Sequence, residues 1–220
     1  MERRNNNVYD ELSKKYNMNK FFWLYDTFSG MTKPILDVDG IEPINSWKEG
    51  WCCSSLTEVT DNITNIEYDN NRIKYIVGDV CQTLNNLENI PENIAILRLD
   101  TDWYESTKKE LDILFNKVIN NGIIIIDDYY SWKGSKKAVD DFLQNNKNIN
   151  IIDNKYTGTR FCFQKISNNN LSNNLNKYLE VVDYNQVYFT EKNQIVSNST
   201  NNNYGNIILA KYNVGSIIII

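Results

Sequence analysis

Three aspartates follow two buried, apolar segments of the chain, and their placement favours a metal site. Asp100 comes directly after residues 94–99, and Asp127 and Asp128 come directly after residues 123–126. Three carboxylates at neighbouring strand ends repel one another unless a cation lies among them or some of them bind protons. Oxygen ligands suit a hard ion, most simply Mg²⁺, which would lower the pKa of a substrate hydroxyl. The alternative is that Asp127 or Asp128 only caps the loop that follows.

Two further aspartates, Asp26 and Asp79, stand at the ends of earlier predicted strands. An acidic residue that closes an early strand of a doubly wound sheet commonly accepts hydrogen bonds from ribose hydroxyls. A second one, a strand away, is placed to meet an adenine amino group. Ribose and adenine beside a metal-activated hydroxyl suggest S-adenosylmethionine, whose methyl group would be attacked in line. The alternative for each aspartate is a turn or a helix cap, which Asp also favours.

The sequence contains no histidine, and this absence excludes several classes of enzyme. A Ser-His-Asp triad, a Cys-His dyad and a His-ligated zinc cannot be built from this chain alone. The four cysteines lack the paired CxxC spacing of a Cys₄ zinc site, which favours reduced thiols, at Cys52, Cys53, Cys81 and Cys162. Acid–base or metal chemistry must therefore depend on carboxylates, Lys, Tyr or Cys.

Alternating predicted strands and helices place the five aspartates at one edge of a sheet. The pattern predicts helices at 9–16, 54–65, 105–119 and 135–143, and strands at 21–25, 72–77, 94–99, 123–126, 149–152 and 160–165. Strands joined by helices indicate βαβ units and a mainly parallel sheet that is covered on both faces. Ligands of such sheets bind beyond the carboxyl ends of the strands. We therefore expect an α/β, Rossmann-like fold with its site at that edge.

The composition narrows the partners and the cellular location. The 220 residues are 41% hydrophobic and 23% charged, as in ordinary globular proteins, with a net charge of −5. An acidic chain argues against non-specific nucleic-acid binding, which needs a basic face. The first residues have no apolar signal-peptide core, and the isoleucine runs are too short to span a bilayer. We expect a soluble, cytoplasmic protein with no membrane partner.

Five segments, in order along the chain, resemble motifs of the macrocin O-methyltransferase family. The longest is L-R-L-D-T-D-W-Y-E-S-T at 97–107. The others are Y-D-T-F-S-G-M at 25–31, G-D-V-C-Q-T-L at 78–84, D-D-Y at 127–129 and A-V-D-D-F at 138–142. The resemblance extends from about Tyr9 to Lys165.

This resemblance implies a class I methyltransferase that uses S-adenosylmethionine to methylate hydroxyl groups, often on sugars attached to natural products. By motif position, Asp100, Asp127 and Asp128 correspond to the magnesium ligands, and Asp100 is also the expected catalytic base. Asp26 corresponds to the ribose-binding acid, and Asp79 lies in the adenine region.

The chain departs from the family at its N-terminal end. Members carry a first strand and a Gly-rich loop before the strand that ends in Asp26, whereas no glycine precedes Gly30 here. That first strand normally lies at the centre of the sheet. Three outcomes are open: a shortened sheet, a strand from a partner chain or homo-oligomer, or replacement by residues 207–210 or 216–220 of this chain.

Residues 1–166 are thus interpreted as an N-terminally truncated methyltransferase domain, and 167–220 as a linker with a small C-terminal β extension. The leading hypothesis is a Mg²⁺-assisted O-methyltransferase acting on a sugar hydroxyl of a glycan or glycosylated small molecule. Four tryptophans fall in or next to predicted loops at the same edge of the sheet. Their rings would either stack on the sugar rings of an acceptor or pack within the loops: Trp47, Trp51, Trp103 and Trp132. The alternative is a catalytically inactive relative that serves as a binding or structural partner.

Overall fold

A computed structural model describes residues 20–64, 68–152 and 160–166, and the backbone of strands at 179–182, 188–189, 195–196, 207–210 and 216–219. The predicted helix at 9–16 and the predicted linker at 167–176 lie outside the described residues. No helix in the described ranges is long and apolar enough to cross a membrane.

Seven strands form the main sheet, in the order β2-β1-β11-β3-β4-β6-β5. The first five in that order pair in parallel, and β6 is antiparallel to both β4 and β5. The strands are β1 (Phe22–Asp26), β2 (Ile73–Val77), β3 (Ile94–Leu99), β4 (Val118–Ile126), β5 (Ile149–Ile152), β6 (Phe161–Lys165) and β11 (Ser216–Ile219). The parallel strands bring their carboxyl ends to one edge, as the sequence predicts.

Runs of branched aliphatic residues explain why the central strands are buried on both faces. In β3 and β4 the side chains of Leu97, Ile123 and Ile124 are fully buried. Helices connect the strands and supply the covering layers. They are α1 (Leu36–Asp39), α2 (Ile41–Ser46), α3 (Leu56–Thr64), α4 (Val80–Thr83), α5 (Tyr104–Leu114) and α6 (Lys133–Asn145).

The central position of the sheet is filled by β11, from the C-terminal end of the chain. In register, Ile217 lies beside Phe22 of β1 and Ile96 of β3, and Ile219 lies beside Leu24 and Arg98. A gap at this position would leave the facing N–H and C=O groups of β1 and β3 without partners, which is costly in a buried sheet. Of the three open possibilities, the structure therefore shows replacement by the chain's own C-terminal segment.

The other candidate segment, residues 207–210, has a different place. It forms β10 (Ile207–Ala210), which pairs antiparallel with β7 (Leu179–Val182) in a separate two-stranded sheet. A further pair joins β8 (Tyr188–Phe189) to β9 (Ile195–Val196). The predicted domain boundary at residue 166 stays a prediction. The strand β11, which follows that boundary in the chain, belongs to the main sheet.

One predicted helix was too long. The prediction of helix to residue 119 was wrong, because α5 ends at Leu114, a 3₁₀ turn follows, and β4 already begins at Val118. Asn121 has a left-handed backbone (φ 65°) and lies inside β4, where the pairing with β3 is irregular. Val118 and Ile119 are β-branched and gain more from the sheet than from another helical turn.

Candidate functional site

A cleft of about 350 Å³ lies at the carboxyl ends of β1–β4. All five aspartates singled out from the sequence line it, namely Asp26, Asp79, Asp100, Asp127 and Asp128. They meet because parallel strands end at one edge of the sheet. The sequence therefore identified the location of the cleft correctly, while the role of each residue stays a prediction.

The three predicted metal ligands lie close together. Asp100, Asp127 and Asp128 each offer one carboxylate oxygen, and these oxygens all lie within 4.8 Å of one another. In an octahedral magnesium site, ligand oxygens are about 3 Å apart when adjacent and about 4 Å apart when opposite, given bonds of about 2.1 Å. Small side-chain rotations would bring this trio to those distances.

Two arginines contact the trio in the structure. Arg98 Nη2 lies 2.8 Å from Asp100 Oδ2 and 2.9 Å from Asp127 Oδ2, and the Nε of Arg160 contacts the other oxygen of Asp127. The side chain of Asp127 is only 20% exposed, so both ion pairs are partly shielded from water. The guanidinium groups offset the repulsion among the carboxylates and occupy some of their lone pairs.

The sequence reasoning missed both arginines. Arg98 carried a signal, because it stands two residues before Asp100 and thus points to the same side of β3. Arg160 carried none, since its place depends on the antiparallel pairing of Phe161 with Ile126. Because the two strands are antiparallel, the residue before Phe161 lies beside the residue after Ile126, and Arg160 therefore contacts Asp127.

Asp102 is a sixth aspartate of the cleft, and the sequence reasoning did not single it out. Its backbone is left-handed (φ 66°), which is uncommon for a residue other than glycine. Burial raises the pKa of Asp102, and the neighbouring carboxylate of Asp128 raises it further. Its position within the motif at 97–107 was the available signal.

Burial also raises the pKa of Asp100 above its ordinary value. The Arg98 guanidinium opposes this shift, whereas the carboxylates of Asp127 and Asp128 add to it. The crowding of negative charge is therefore only partly neutralised by the protein itself.

The donor set fits a hard divalent cation. It consists of carboxylate oxygens, and within the described residues it is the one group of acidic or thiol side chains with converging ligand atoms. When all four carboxyl groups are ionised, their negative charge exceeds the positive charge of the two arginines; these groups belong to Asp100, Asp102, Asp127 and Asp128. A cation held by the trio would remove that excess.

Asp26 ends β1 and shapes the loop that follows it. Its Oδ1 accepts a hydrogen bond of 2.8 Å from the backbone N–H of Phe28. The loop then turns at Gly30, where φ is 104° and an added Cβ would lie 2.8 Å from the Trp51 carbonyl oxygen. Only glycine fits there, because both the backbone angle and the close approach exclude a side chain.

Asp79 forms the helix cap that was the alternative for it and also lines the cleft, and its adenine contact stays a prediction. It lines the cleft, and its Oδ1 caps α4 by accepting a 2.8 Å hydrogen bond from the N–H of Cys81. The preceding Gly78 (φ 132°) donates its N–H to the carbonyl oxygen of Asp26 at 2.9 Å. This hydrogen bond joins the loop after β1 to the loop after β2.

Two of the tryptophans anchor the loop after β1. The indole N–H of Trp47 donates to the Met31 carbonyl at 3.0 Å, and that of Trp103 donates to the Thr32 carbonyl at 2.7 Å. Trp132 packs edge-on against both Trp103 and Trp51. Loop packing therefore accounts for Trp47 and Trp103, and sugar stacking stays a prediction for Trp51 and Trp132, which are partly exposed.

Comparison with known proteins supports the motif assignment. Residues 9–161 match the family described as Macrocin-O-methyltransferase (TylF). The demethyldecarbamoylnovobiocin O-methyltransferase of Streptomyces niveus is 30% identical over 124 residues, covering 54% of this chain and 46% of the relative. The 8-demethyl-8-(2,3-dimethoxy-alpha-L-rhamnosyl)-tetracenomycin-C 4'-O-methyltransferase of Streptomyces olivaceus is 28% identical over 109 residues, covering 49% and 41%. The chain spans about half the length of these curated relatives.

Solved structures show the same fold. The O-methyltransferase NovP aligns with a TM-score of 0.62 at 23% identity, covering 74% of this chain and 67% of that one. The calicheamicin methyltransferase CalS11 aligns with a TM-score of 0.55 at 15% identity, covering 71% and 77%. The sheet order and this likeness establish a Rossmann-like class I methyltransferase fold. With the family match over most of its length, the chain belongs to the macrocin O-methyltransferase family.

Proposed function

We propose that the protein is an S-adenosylmethionine-dependent, Mg²⁺-assisted O-methyltransferase that acts on a sugar hydroxyl of a glycan or glycosylated small molecule. The observation that carries the proposal is the convergence of Asp100, Asp127 and Asp128 within 4.8 Å, in a cleft that also contains Asp26 and Asp79. Family membership supports the reaction class.

The two ends of the cleft have separate tasks in this proposal. Asp26 accepts hydrogen bonds from the ribose hydroxyls through the oxygen that does not bond Phe28, and Asp79 faces the adenine amino group. Asp100, Asp127 and Asp128 hold the cation. When bound, the cation supplies Lewis acidity that lowers the pKa of the acceptor hydroxyl.

The transfer itself is a single displacement. The hydroxyl oxygen of the acceptor forms a bond to the methyl carbon, the carbon–sulfur bond breaks with its electron pair going to sulfur, and a carboxylate takes the hydroxyl proton. Holding both reactants in line contributes much of the rate, because it removes their relative freedom before the reaction.

Two carboxylates are candidates for the base. Asp100 is the assignment that the motif position implies. Asp102 is the second candidate, because it lines the same cleft and stands outside the trio. Asp100→Asn would weaken cation binding and abolish transfer under either assignment, so Asp102→Asn is the informative variant. Loss of transfer with cation binding retained would identify Asp102 as the base.

The class of acceptor is inferred from the relatives. One relative is named for a novobiocin precursor, another for a rhamnosyl tetracenomycin, and CalS11 is a calicheamicin methyltransferase. The partly exposed rings of Trp51 and Trp132 are compatible with such an acceptor, since aromatic faces stack on sugar rings.

The alternative function is a non-catalytic relative that binds a partner. The contacts of Arg98 with Asp100 and Asp127 favour it, because a guanidinium group in the trio occupies oxygens that a cation would need. Titration calorimetry of the full chain with S-adenosylhomocysteine, with and without Mg²⁺, separates the two. Heat of binding supports the enzyme, and no heat at millimolar ligand supports the non-catalytic relative.

A further inference from the structure

Glu110 is a buried acid that the proposed chemistry does not use. It lies on the inner face of α5 with Ser106 and Leu111, and its side chain is 0% exposed. Across the described ranges, neither of its carboxyl oxygens has a hydrogen-bond partner. A buried polar group without a partner is destabilising, so a leucine would suit this position better if packing were its only task.

The hydroxyl of Thr101 is close enough to this carboxyl group to affect its pKa. Burial raises the pKa of Glu110 well above its usual range, and the Thr101 hydroxyl acts in the opposite direction. The Thr101 hydroxyl is itself buried and has no partner in the part of the chain that the structure describes. A neutral carboxyl group both donates and accepts, so a small rotation would satisfy both side chains.

Thr101 lies at the centre of the turn that carries the acidic residues. Asp100 precedes it, and Asp102, with its left-handed backbone, follows it. The carbonyl of Thr101 accepts hydrogen bonds from the Trp103 N–H at 2.7 Å and from the Ser106 hydroxyl at 3.3 Å. These two hydrogen bonds fix the backbone of the turn at the start of α5. The Thr101 side chain could form a third contact between the turn and this helix.

We propose that Glu110 is a positioning residue: it holds the Thr101 hydroxyl and thereby keeps the turn at 100–102 in the shape that brings Asp100 to Asp127 and Asp128. The inference rests on the proposed function, because it explains the turn by its use in binding a divalent cation. Glu110 itself does not line the cleft.

The test measures the binding of Mn²⁺ alone to the full chain by titration calorimetry. We expect Glu110→Leu and Thr101→Val each to weaken Mn²⁺ binding roughly tenfold, or about 1.4 kcal/mol. Glu110→Gln, which keeps a neutral donor and acceptor, should stay within about threefold of the parent chain. The combined Leu and Val variant should bind no more weakly than either single one, because both remove the same contact.

Thermal unfolding without a cation separates positioning from simple packing. Replacing a buried, unpartnered carboxyl by an apolar side chain is often neutral or stabilising, so we expect Glu110→Leu to unfold at the same or a higher temperature. Lower thermal stability with unchanged Mn²⁺ affinity would overturn the inference.

The controls distinguish this inference from the proposed function. If the parent chain binds Mn²⁺ and both Glu110→Leu and Thr101→Val bind it equally well, only the role of Glu110 is wrong. If the parent chain does not bind Mn²⁺, the proposed function and this inference both fail. Should Glu110→Leu not fold, Thr101→Val gives the answer by itself.

Discussion

The two halves of the cleft hold their carboxylates in different ways. In the half proposed to bind a cation (the cation half: Asp100, Asp102, Asp127 and Asp128), arginine side chains contact two of the carboxylates. In the half proposed to bind S-adenosylmethionine (the cofactor half: Asp26 and Asp79), backbone N–H groups of the same loops donate hydrogen bonds to one oxygen of each carboxylate. Side-chain partners can move aside for a cation, whereas backbone partners fix the loop and leave the second oxygen for a ligand.

The halves also differ in how the chain brings them together. The cation half lies on β3 and β4, which are consecutive in the sequence and directly paired. The cofactor half lies on β1 and β2, and β11 separates it from the cation half. With neighbouring strands about 4.8 Å apart, the axes of β1 and β3 are about 10 Å apart only because β11 lies between them. The width of the cleft therefore depends on the strand that comes from the far end of the chain.

The largest expected effect comes from removing a ligand in the cation half. Asp100→Asn should weaken Mn²⁺ binding at least about 100-fold and abolish methyl transfer, while S-adenosylhomocysteine binding without metal changes little. Asp112→Asn is the matched control, because Asp112 is exposed on α5 and pairs with Lys108. Calorimetry with each ligand measures both effects, and equal losses of both ligands would show that the halves are not separate.

Breaking β11 should affect the whole sheet. Ile218→Pro removes a ladder hydrogen bond from a strand paired on both sides, with Trp23 and with Leu97. We expect a loss of about 1–3 kcal/mol in the free energy of unfolding, measured by denaturant titration, because a buried partner group is left without its hydrogen bond. Ile208→Pro in β10 is the control, since β10 belongs to a two-stranded sheet. Equal effects of the two prolines would contradict the central place of β11.

In contrast to Asp100→Asn, a substitution in the cofactor half should weaken the binding of S-adenosylhomocysteine and leave the binding of Mn²⁺ unchanged. Asp26→Asn keeps an acceptor for the Phe28 N–H but loses the charge that strengthens hydrogen bonds to ribose. We expect S-adenosylhomocysteine to bind roughly tenfold more weakly and Mn²⁺ to bind as before. If the Mn²⁺ affinity fell as well, the separation between the two halves would be wrong.

The smallest expected effect is a dependence on pH that belongs to the cation half. The pKa values of Asp100 and Asp102 are raised in the folded protein, chiefly by burial. These groups therefore bind protons more tightly when folded, so the metal-free protein loses stability as pH rises through their folded pKa values. A cation competes with those protons, so Mn²⁺ affinity should increase several-fold from acidic to mildly alkaline pH. Calorimetry in buffers of different ionisation enthalpy would detect the released protons, and an affinity independent of pH would contradict the shifts.

Sequence reasoning performed best where the chemistry follows one strand at a time. β3 has the predicted bounds, and Asp100, Asp127 and Asp128 meet as expected, because apolar runs define strands and parallel strands share an edge. It failed at the end of α5, where Val118 joins β4 instead of the helix. It also missed Arg160 and Glu110, because a strand register and a buried helix face decide their neighbours.

The sequence alone determined the class of fold, the family and the edge of the sheet where five aspartates gather, since these depend on periodicity and on motifs that are local in the chain. It left three possibilities for the central strand. Only the tertiary structure placed Ser216–Ile219 between β1 and β3, paired the acidic trio with arginines and buried Glu110 behind Thr101. These features depend on contacts between residues that are far apart in the sequence, and a local sequence pattern does not reveal which of those contacts form.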